Sequence, residues 1–487
     1  MHDRMETPTP LSALSDGLVI CVDLDGTLVR TDTLQEAAAA SFFSDWRTLP
    51  NILRWLARGK ALLKERLAER WAFNPAQLPY DENLLQSLRQ AKDLGHPIVL
   101  VTAADHSIAS RVGDHLALFD EIIASNGVDN LRGETKARVL AERFPGQGFA
   151  YIGNDATDHA VWRIAAVPIV SNASASVARS AHQRYSNAIV LSKRGGQLFP
   201  FIRALRPYQW VKNLFVLVPL FTSGALGDTA AWMRSLEAMI AFCAVASAIY
   251  LLNDLSDLAA DRAHPRKRSR PFASGALNIS TGLLAFPALA LFGAWLAVLS
   301  GAAISVALYS VLSLSYTMRL KEQPLIDVFI LAGLYTLRVI AGGQASGHEV
   351  SLWLLGFSSF VFLALALVKR VSELLRVQSI NEQKIARRGY NVQDISILQA
   401  IGSSASFASI VVLSLYVQSS TAETIYRRPE LLWAFVPLFL FWQCRLWLST
   451  ARGYMHDDPI VYAARDWVSW IVFGCVALVA LAARVPV

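Results

Sequence analysis

The sequence predicts two folds in one chain: an N-terminal α/β unit built on a parallel sheet with a small helical cap, and a C-terminal all-α polytopic membrane domain of nine transmembrane helices. Three observations carry this reading. At roughly 100 to 200 residues per domain, 487 residues exceed a single small module. Hydrophobic residues make up 54% of the chain and charged residues only 17%, well under the roughly 25% of an average soluble domain. Charges are dense to about Arg206 and then retreat into islands between apolar runs of about 17 to 25 residues, the length that crosses a bilayer. This composition excludes an intrinsically disordered chain. Four cysteines without a CxxC pair exclude a disulfide scaffold, and Cys21, Cys243, Cys444 and Cys475 read as small buried hydrophobes.

In the head, short β-rich runs at 18–22, 97–102, 122–124, 149–152 and 167–171 alternate with helical patterns, which is the signature of a parallel α/β sheet. Residues 34–88 are helix-like throughout and too long for one crossover, so a helical cap is expected at about 33–88 within a head spanning 1–195. Residues 196–210, with Gly195 and Gly196 just ahead of Phe199, Phe201, Tyr208 and Trp210, read as a linker ending in an interfacial stretch. Residues 211–487 then carry nine apolar runs, centred on Val216, Ala244, Ala290, Leu308, Ala332, Phe360, Val411, Leu438 and Leu478.

Basic residues gather after every second run: Arg262 to Arg270; Arg319 and Lys321; Lys369, Arg370, Arg376, Lys384, Arg387 and Arg388; Arg452 and Arg465. The positive-inside rule places these loops in the cytoplasm, and the head with them. No apolar signal core is visible between Met1 and Gly17, in keeping with a multi-pass protein of the cell (inner) membrane whose head stays inside. A net charge of +7 could suggest nucleic acid, but the basic residues alternate with membrane runs, so the bilayer and not nucleic acid is the expected partner. A homo-oligomer is left open.

Two constellations carry chemistry. After the first strand comes Asp23-Leu24-Asp25-Gly26-Thr27, which sets two carboxylates where one can attack and the other can move a proton. Thr102 follows a second strand, Lys136 opens a helix after Gly133, and Tyr151-Ile152-Gly153-Asn154-Asp155 closes a further strand with Asp158 one turn on. Strand-end aspartates that merely cap helices would explain one such motif, but not four in order. Together they resemble the haloacid dehalogenase-like hydrolases over about residues 15–190. The resemblance implies that Asp23 attacks phosphorus and Asp25 protonates the leaving oxygen. It further implies that Thr102 and Lys136 hold the phosphoryl oxygens, and that Asp23, Asp155 and the Asp25 carbonyl bind Mg²⁺ with support from Asp158.

The second constellation ends the second membrane run. Asn253, Asp257 and Asp261 recur at i, i+4 and i+8 with Asp254 beside them, and Lys267, Arg268 and Arg270 follow at once. Crowded acids at the end of an apolar helix call for a divalent cation, and the adjacent cations suit a diphosphate. A solvated positive-inside loop would explain the cations but not the acids in register. The segment resembles the UbiA superfamily of intramembrane prenyltransferases, and more particularly its decaprenyl-phosphate phosphoribosyltransferase branch. Supporting matches are Arg206 to Asn213, Asp327-Val328 with Tyr335, Arg338 and Ala341-Gly342-Gly343, Lys369-Arg370 with Glu373, and His456-Asp457-Asp458-Pro459 with Asp466.

The resemblance implies transfer of 5-phosphoribose from phosphoribosyl diphosphate to polyprenyl phosphate. Asp254, Asp257 and Asp261 would hold Mg²⁺ with Asn253 near, Lys267, Arg268 and Arg270 would meet the diphosphate, and Lys212, Asn213, Asp327, Tyr335, Arg338, Lys369 and Arg370 would bind substrate. The lone Asp327, where prenyltransferases carry a second aspartate-rich motif, favours this branch. The alternatives are prenyl transfer from a prenyl diphosphate, and a membrane-anchored phosphatase. Arg338 on its own could also be a cation snorkelling to lipid headgroups.

Overall fold

The computed structural model describes residues 11, 14–146, 148–223, 226–379, 388–455 and 458–484. His456 and Asp457, and Lys384 and Arg387 of the basic loop, lie outside the described residues. The chain forms two compact units, Met1–Ala204 with Leu251–Leu284, and Leu205–Tyr250 with Ala285–Val487.

In the first unit six parallel strands, β1 (Val19–Val22), β2 (Ile98–Asp105), β3 (Glu121–Ser125), β4 (Phe149–Gly153), β5 (Val167–Val170) and β6 (Ile189–Val190), stand in the order β3-β2-β1-β4-β5-β6. Every residue of β1 and β4 is buried, as expected of central parallel strands covered by helices on both faces. Strand β6 was not anticipated, because two half-buried residues leave no periodic signal.

Helices α1 (Thr33–Ser44), α2 (Leu49–Arg58) and α3 (Lys60–Arg70) follow β1, a 3-10 turn at Pro75–Gln77 breaks the helical run, and α4 (Glu82–Asp93) leads into β2. Aspartates cap three of this unit's helices. Asp32 takes the Gln35 N–H (3.0 Å), Asp81 that of Leu84 (3.3 Å) and Asp105 that of Ser107 (2.9 Å), the last opening α5 (His106–Leu116). The unit also holds α6 (Glu134–Arg143), α7 (His159–Trp162), α8 (Ala175–Arg184) and α9 (Leu198–Leu205), whose last residue begins the second unit, and residues 251–284 further along the chain.

The remaining helices are α10 (Val218–Thr222), α11 (Thr229–Ser256), α12 (Leu258–Ala263), α13 (Ile279–Leu299), α14 (Ala303–Met318), α15 (Ile326–Ser346), α16 (Leu352–Ser379), α17 (Ile395–Val417), α18 (Ser420–Ile425), α19 (Phe435–Ala451), α20 (Pro459–Arg465) and α21 (Trp467–Ala482). Six segments are long and apolar enough to cross a membrane, and seven if the bent pair α20–α21, with its 84° break, counts as one; these counts concern the described residues. The expected nine spans are therefore not all found as long helices.

The run centred on Val216 is a 3-10 stretch, Pro207–Leu217, followed by the five-residue α10, and the run centred on Leu308 is the 16-residue α14. Pro207 and Pro219 lack the N–H that an α-helix interior needs, which hydropathy alone does not register. The 3-10 stretch is pressed against α15 at Gly342, where an added Cβ would collide with the Val216 carbonyl oxygen.

Candidate active sites

The head's site lies at the carboxyl ends of β1 and β4, where the strand order reverses and open α/β sheets hold their ligands. The Asp23 N–H still bonds the Ile152 carbonyl (3.0 Å), so the ladder fixes the residue that follows β1. Gly26 has φ +75°, and a Cβ there would collide with the Asn154 side chain; both facts require glycine. Thr27 Oγ1 donates to Asn154 Oδ1 (3.2 Å), tying the two motifs together.

The Asp25 carboxylate accepts the Thr33 N–H (2.8 Å) and hydroxyl (3.2 Å). Lys136, buried on α6, donates to Asp23 Oδ1 and to the Tyr151 hydroxyl, each at 2.8 Å. Tyr151 in turn donates to Asp158 Oδ1 (2.9 Å). Asp158 Oδ2 accepts the N–H groups of Asn154 (2.9 Å) and Asp155 (3.0 Å), so this one oxygen shapes the turn that carries Asp155. Unlike Asp32, Asp81 and Asp105, neither Asp23 nor Asp25 caps a helix.

Burial pushes the Asp23 carboxyl up to about 6 against the pull of the neighbouring Lys136 ammonium. Burial, and then repulsion by Asp32, push Asp25 up to about 8, with the Thr33 hydrogen bonds opposing. Burial works to lower Lys136, but Asp23 and Asp158 outweigh it and hold the ammonium above its usual range.

A cavity of about 380 Å³ opens over these groups; Asp23, Asp25, Lys136, Asp155, Lys64 and Arg194 are among its lining residues. At the end of β2 the lining residue is Ala103, while Thr102 is fully buried with its hydroxyl accepting the Ala104 N–H (3.0 Å). Sequence reasoning assigned no role to Tyr151 or Lys64. Tyr151 read as a strand aromatic, and Lys64 of α3, bonded to Asn130 Oδ1 (2.7 Å) and the Ala103 carbonyl, reaches the site only through the tertiary fold.

The acid-rich segment also belongs to the first unit. Helix α11 stops at Ser256 and α12 starts at Leu258, with Asp257 at the break (φ −96°, ψ 14°). The N–H groups of Asp257 and Asp261 still reach the carbonyls of Asn253 (2.9 Å) and Asp257 (2.8 Å), so the predicted spacing survives the break. Arg270 Nη1 bridges Asp254 Oδ1 (3.0 Å) and Asp261 Oδ2 (2.7 Å), and both acids are buried. Lys267 and Arg268 are exposed.

Among the described residues no three acidic, histidine or cysteine side chains are already closed into a metal cage. The donors nonetheless suit a hard cation: carboxylate oxygens share one cationic group at Arg270, and Asp23 and Asp155 face one cavity in the head.

In the second unit, Asp458 caps α20 and gathers side chains from three segments. Lys212 Nζ donates to Oδ2 at 2.7 Å, Lys369 Nζ at 3.3 Å, and the Tyr335 hydroxyl lies 3.4 Å away. The sequence alone gives Asp458 no role, because its partners Lys212, Tyr335 and Lys369 lie far off along the chain. Arg338 is buried, not snorkelling: it donates to Asn213 Oδ1 (2.8 Å), the Leu334 carbonyl (2.5 Å) and the Tyr309 hydroxyl (3.3 Å), all of them neutral. Asp327 and Arg370, expected to line a substrate pocket, are both 0% exposed and touch each other (Nη2–Oδ2 2.6 Å) without an aligned hydrogen bond. The Tyr390 hydroxyl donates to Asp327 at 2.5 Å.

A parallel sheet with paired carboxylates and a buried lysine at its switch point, and a second unit of apolar helices with buried cations gathered around Asp458, define a two-part enzyme. The chain matches the UbiA prenyltransferase family over residues 216–452 and the haloacid dehalogenase-like hydrolases over residues 20–163. An uncharacterized protein of Sinorhizobium fredii is 36% identical over 469 residues, covering 94% of this chain and 89% of that protein. The nodulation protein NoeC of Azorhizobium caulinodans is 35% identical over 57% of this chain and 91% of its own length. The decaprenyl-phosphate phosphoribosyltransferase of Corynebacterium glutamicum is 40% identical over 183 residues, which are 36% of this chain and 54% of that enzyme.

Proposed function

We propose that residues 211–487 transfer 5-phosphoribose from phosphoribosyl diphosphate to a polyprenyl phosphate, and that the N-terminal residues 1–195 then remove the 5-phosphate to leave polyprenyl phosphoribose. The observation that carries the first half is Arg338, a buried guanidinium with neutral partners in a chain 40% identical over 183 residues to a decaprenyl-phosphate phosphoribosyltransferase. Such a group is stabilised by an anion brought by substrate.

In this reading Arg338, Lys212, Lys369 and Tyr335 receive sugar and acceptor phosphates, and the Asp327–Arg370 pair braces α15 against α16. Asp254, Asp257 and Asp261 would hold Mg²⁺, with Asn253 near, and Lys267, Arg268 and Arg270 would neutralise the diphosphate. When bound, Mg²⁺ would supply electrostatic stabilisation of the departing diphosphate here, and of the transferring phosphoryl group at Asp23 and Asp155 in the head. The acceptor phosphate is already ionised, so its attack on the anomeric carbon needs no general base.

In the head, an Asp23 oxygen bonds phosphorus as the P–O bond to the sugar breaks, and the leaving oxygen takes the Asp25 proton. Water then attacks the acyl phosphate, returning a proton to Asp25 and releasing inorganic phosphate and free Asp23. Lys136 holds Asp23 in place and neutralises phosphoryl charge. The head and basic loops lie in the cytoplasm in this account, where the positive-inside rule puts them.

Product analysis of variants tests the scheme. Asp23→Asn should accumulate phosphorylated lipid-ribose at an unchanged transfer rate. Asp257→Asn, or chelation of Mg²⁺, should stop both products by about a hundredfold or more. An Asp23→Asn enzyme with wild-type products would contradict the second step. Prenyl transfer from a prenyl diphosphate is the second reading, favoured by the family as a whole and opposed by the single acid on α15.

A further inference from the structure

The head's cavity has a wall that the phosphotransfer chemistry does not use. Beyond the catalytic carboxylates it is lined by Arg194 and by three consecutive residues, Leu277, Asn278 and Ile279. Ile279 is the first residue of α13, a helix long and apolar enough to cross a membrane, so the rim of this cavity is the start of a candidate span.

That rim is held by several bonds within the same unit. Gln197 Nε2 donates to the Ala276 carbonyl (3.0 Å), Gln197 Oε1 accepts the Asn278 N–H (3.2 Å), and Gln35 Oε1 accepts the Ser280 N–H (3.1 Å). Arg194 Nη2 donates to Asn278 Oδ1. The other cavity arginines face acids, Arg30 toward Asp81 (3.4 Å) and Arg132 toward Asp155 (3.7 Å). Arg194 is half-buried against a neutral amide, so its charge remains to be matched by a second anion, and Leu277 and Ile279 place apolar surface beside it.

We propose that Arg194 and the 277–279 turn form a subsite for the phosphodiester and first lipid carbons of a membrane-anchored substrate, whose terminal phosphomonoester reaches Asp23. The proposal rests on the phosphatase reading of the head. The substrate class is a lipid phosphodiester bearing a phosphomonoester on its sugar; with water it gives the lipid-linked alcohol and inorganic phosphate. A soluble sugar monophosphate lacks both the second charge and the apolar stem.

The test is phosphate release by the full chain in neutral detergent, from ribose 5-phosphate and from farnesyl-phosphoryl-ribose 5-phosphate. The wild type should favour the lipid substrate in kcat/KM by at least about tenfold. Arg194→Ala should lose at least about tenfold more on the lipid substrate than on ribose 5-phosphate, the size expected for one charge-assisted hydrogen bond. Asn278→Asp, which sets a carboxylate against Arg194 without changing side-chain size, should give the same split even if Arg194→Ala folds poorly. Equal rates on both substrates, or losses from Asn278→Asp that do not discriminate between them, overturn the subsite and leave the phosphatase standing. Selectivity that appears only when phosphatidylglycerol is added assigns Arg194 to membrane headgroups and also overturns it. No phosphate from either substrate with wild-type protein overturns the phosphatase reading itself.

Discussion

Arg338 shows how one residue's surroundings separate readings that its identity cannot. In the sequence it is an arginine within an apolar run, compatible with a headgroup contact; in the fold it is 5% exposed and meets an amide, a carbonyl and a phenol. A full charge in that setting is expensive until an anion arrives. Arg338→Gln should therefore lower kcat/KM for phosphoribosyl diphosphate by tenfold to about a hundredfold, the range of one or two charge-assisted hydrogen bonds. Steady-state kinetics with the donor varied would show this, and an unchanged kcat/KM would remove Arg338 from the site. The carboxylates Asp23 and Asp25 were legible because three further motifs follow them in order along the chain, which helix-capping aspartates would not explain. Tyr151 was not, since a tyrosine in a buried strand looks like core until its hydroxyl is found between Lys136 and Asp158.

At the scale of elements, the strands of the head were readable because each is a short, nearly continuous apolar run, and β6 was missed because two residues carry no pattern. Membrane runs were less secure. Hydropathy counts apolar residues but not the prolines and the Asp466 break that make 3-10 and bent segments of some of them.

The grouping of residues 251–284 with the head was also not legible, since it depends on pairings far apart in sequence. The strongest of these is Glu36 of α1 with Arg262 of α12, bidentate at 2.6 and 2.7 Å and nearly buried on both sides. Removing one partner of such a pair strands the other charge, at a cost of about 3–5 kcal/mol. Glu36→Gln should lower the thermal unfolding temperature of the purified chain by several degrees, whereas an unshifted transition would mean that the pair contributes little.

For the whole molecule, two chemistries in one chain make sense if the product of one is the substrate of the other. A lipid-linked sugar phosphate stays in the membrane, and a phosphatase on the same polypeptide meets it at a raised local concentration. The scheme requires the basic loops and the head to share a side with phosphoribosyl diphosphate. In intact cells an impermeant thiol reagent should label a cysteine introduced at Glu423 and spare one introduced at His264. The opposite pattern would reverse the orientation.

The most direct test of the central claim supplies purified protein and Mg²⁺ with labelled phosphoribosyl diphosphate, a prenyl diphosphate and polyprenyl phosphate together, and identifies the lipid product by mass. Label should enter the lipid as polyprenyl phosphoribose, passing through its 5-phosphate. A product built from the prenyl diphosphate, with no pentose on the lipid, would contradict it.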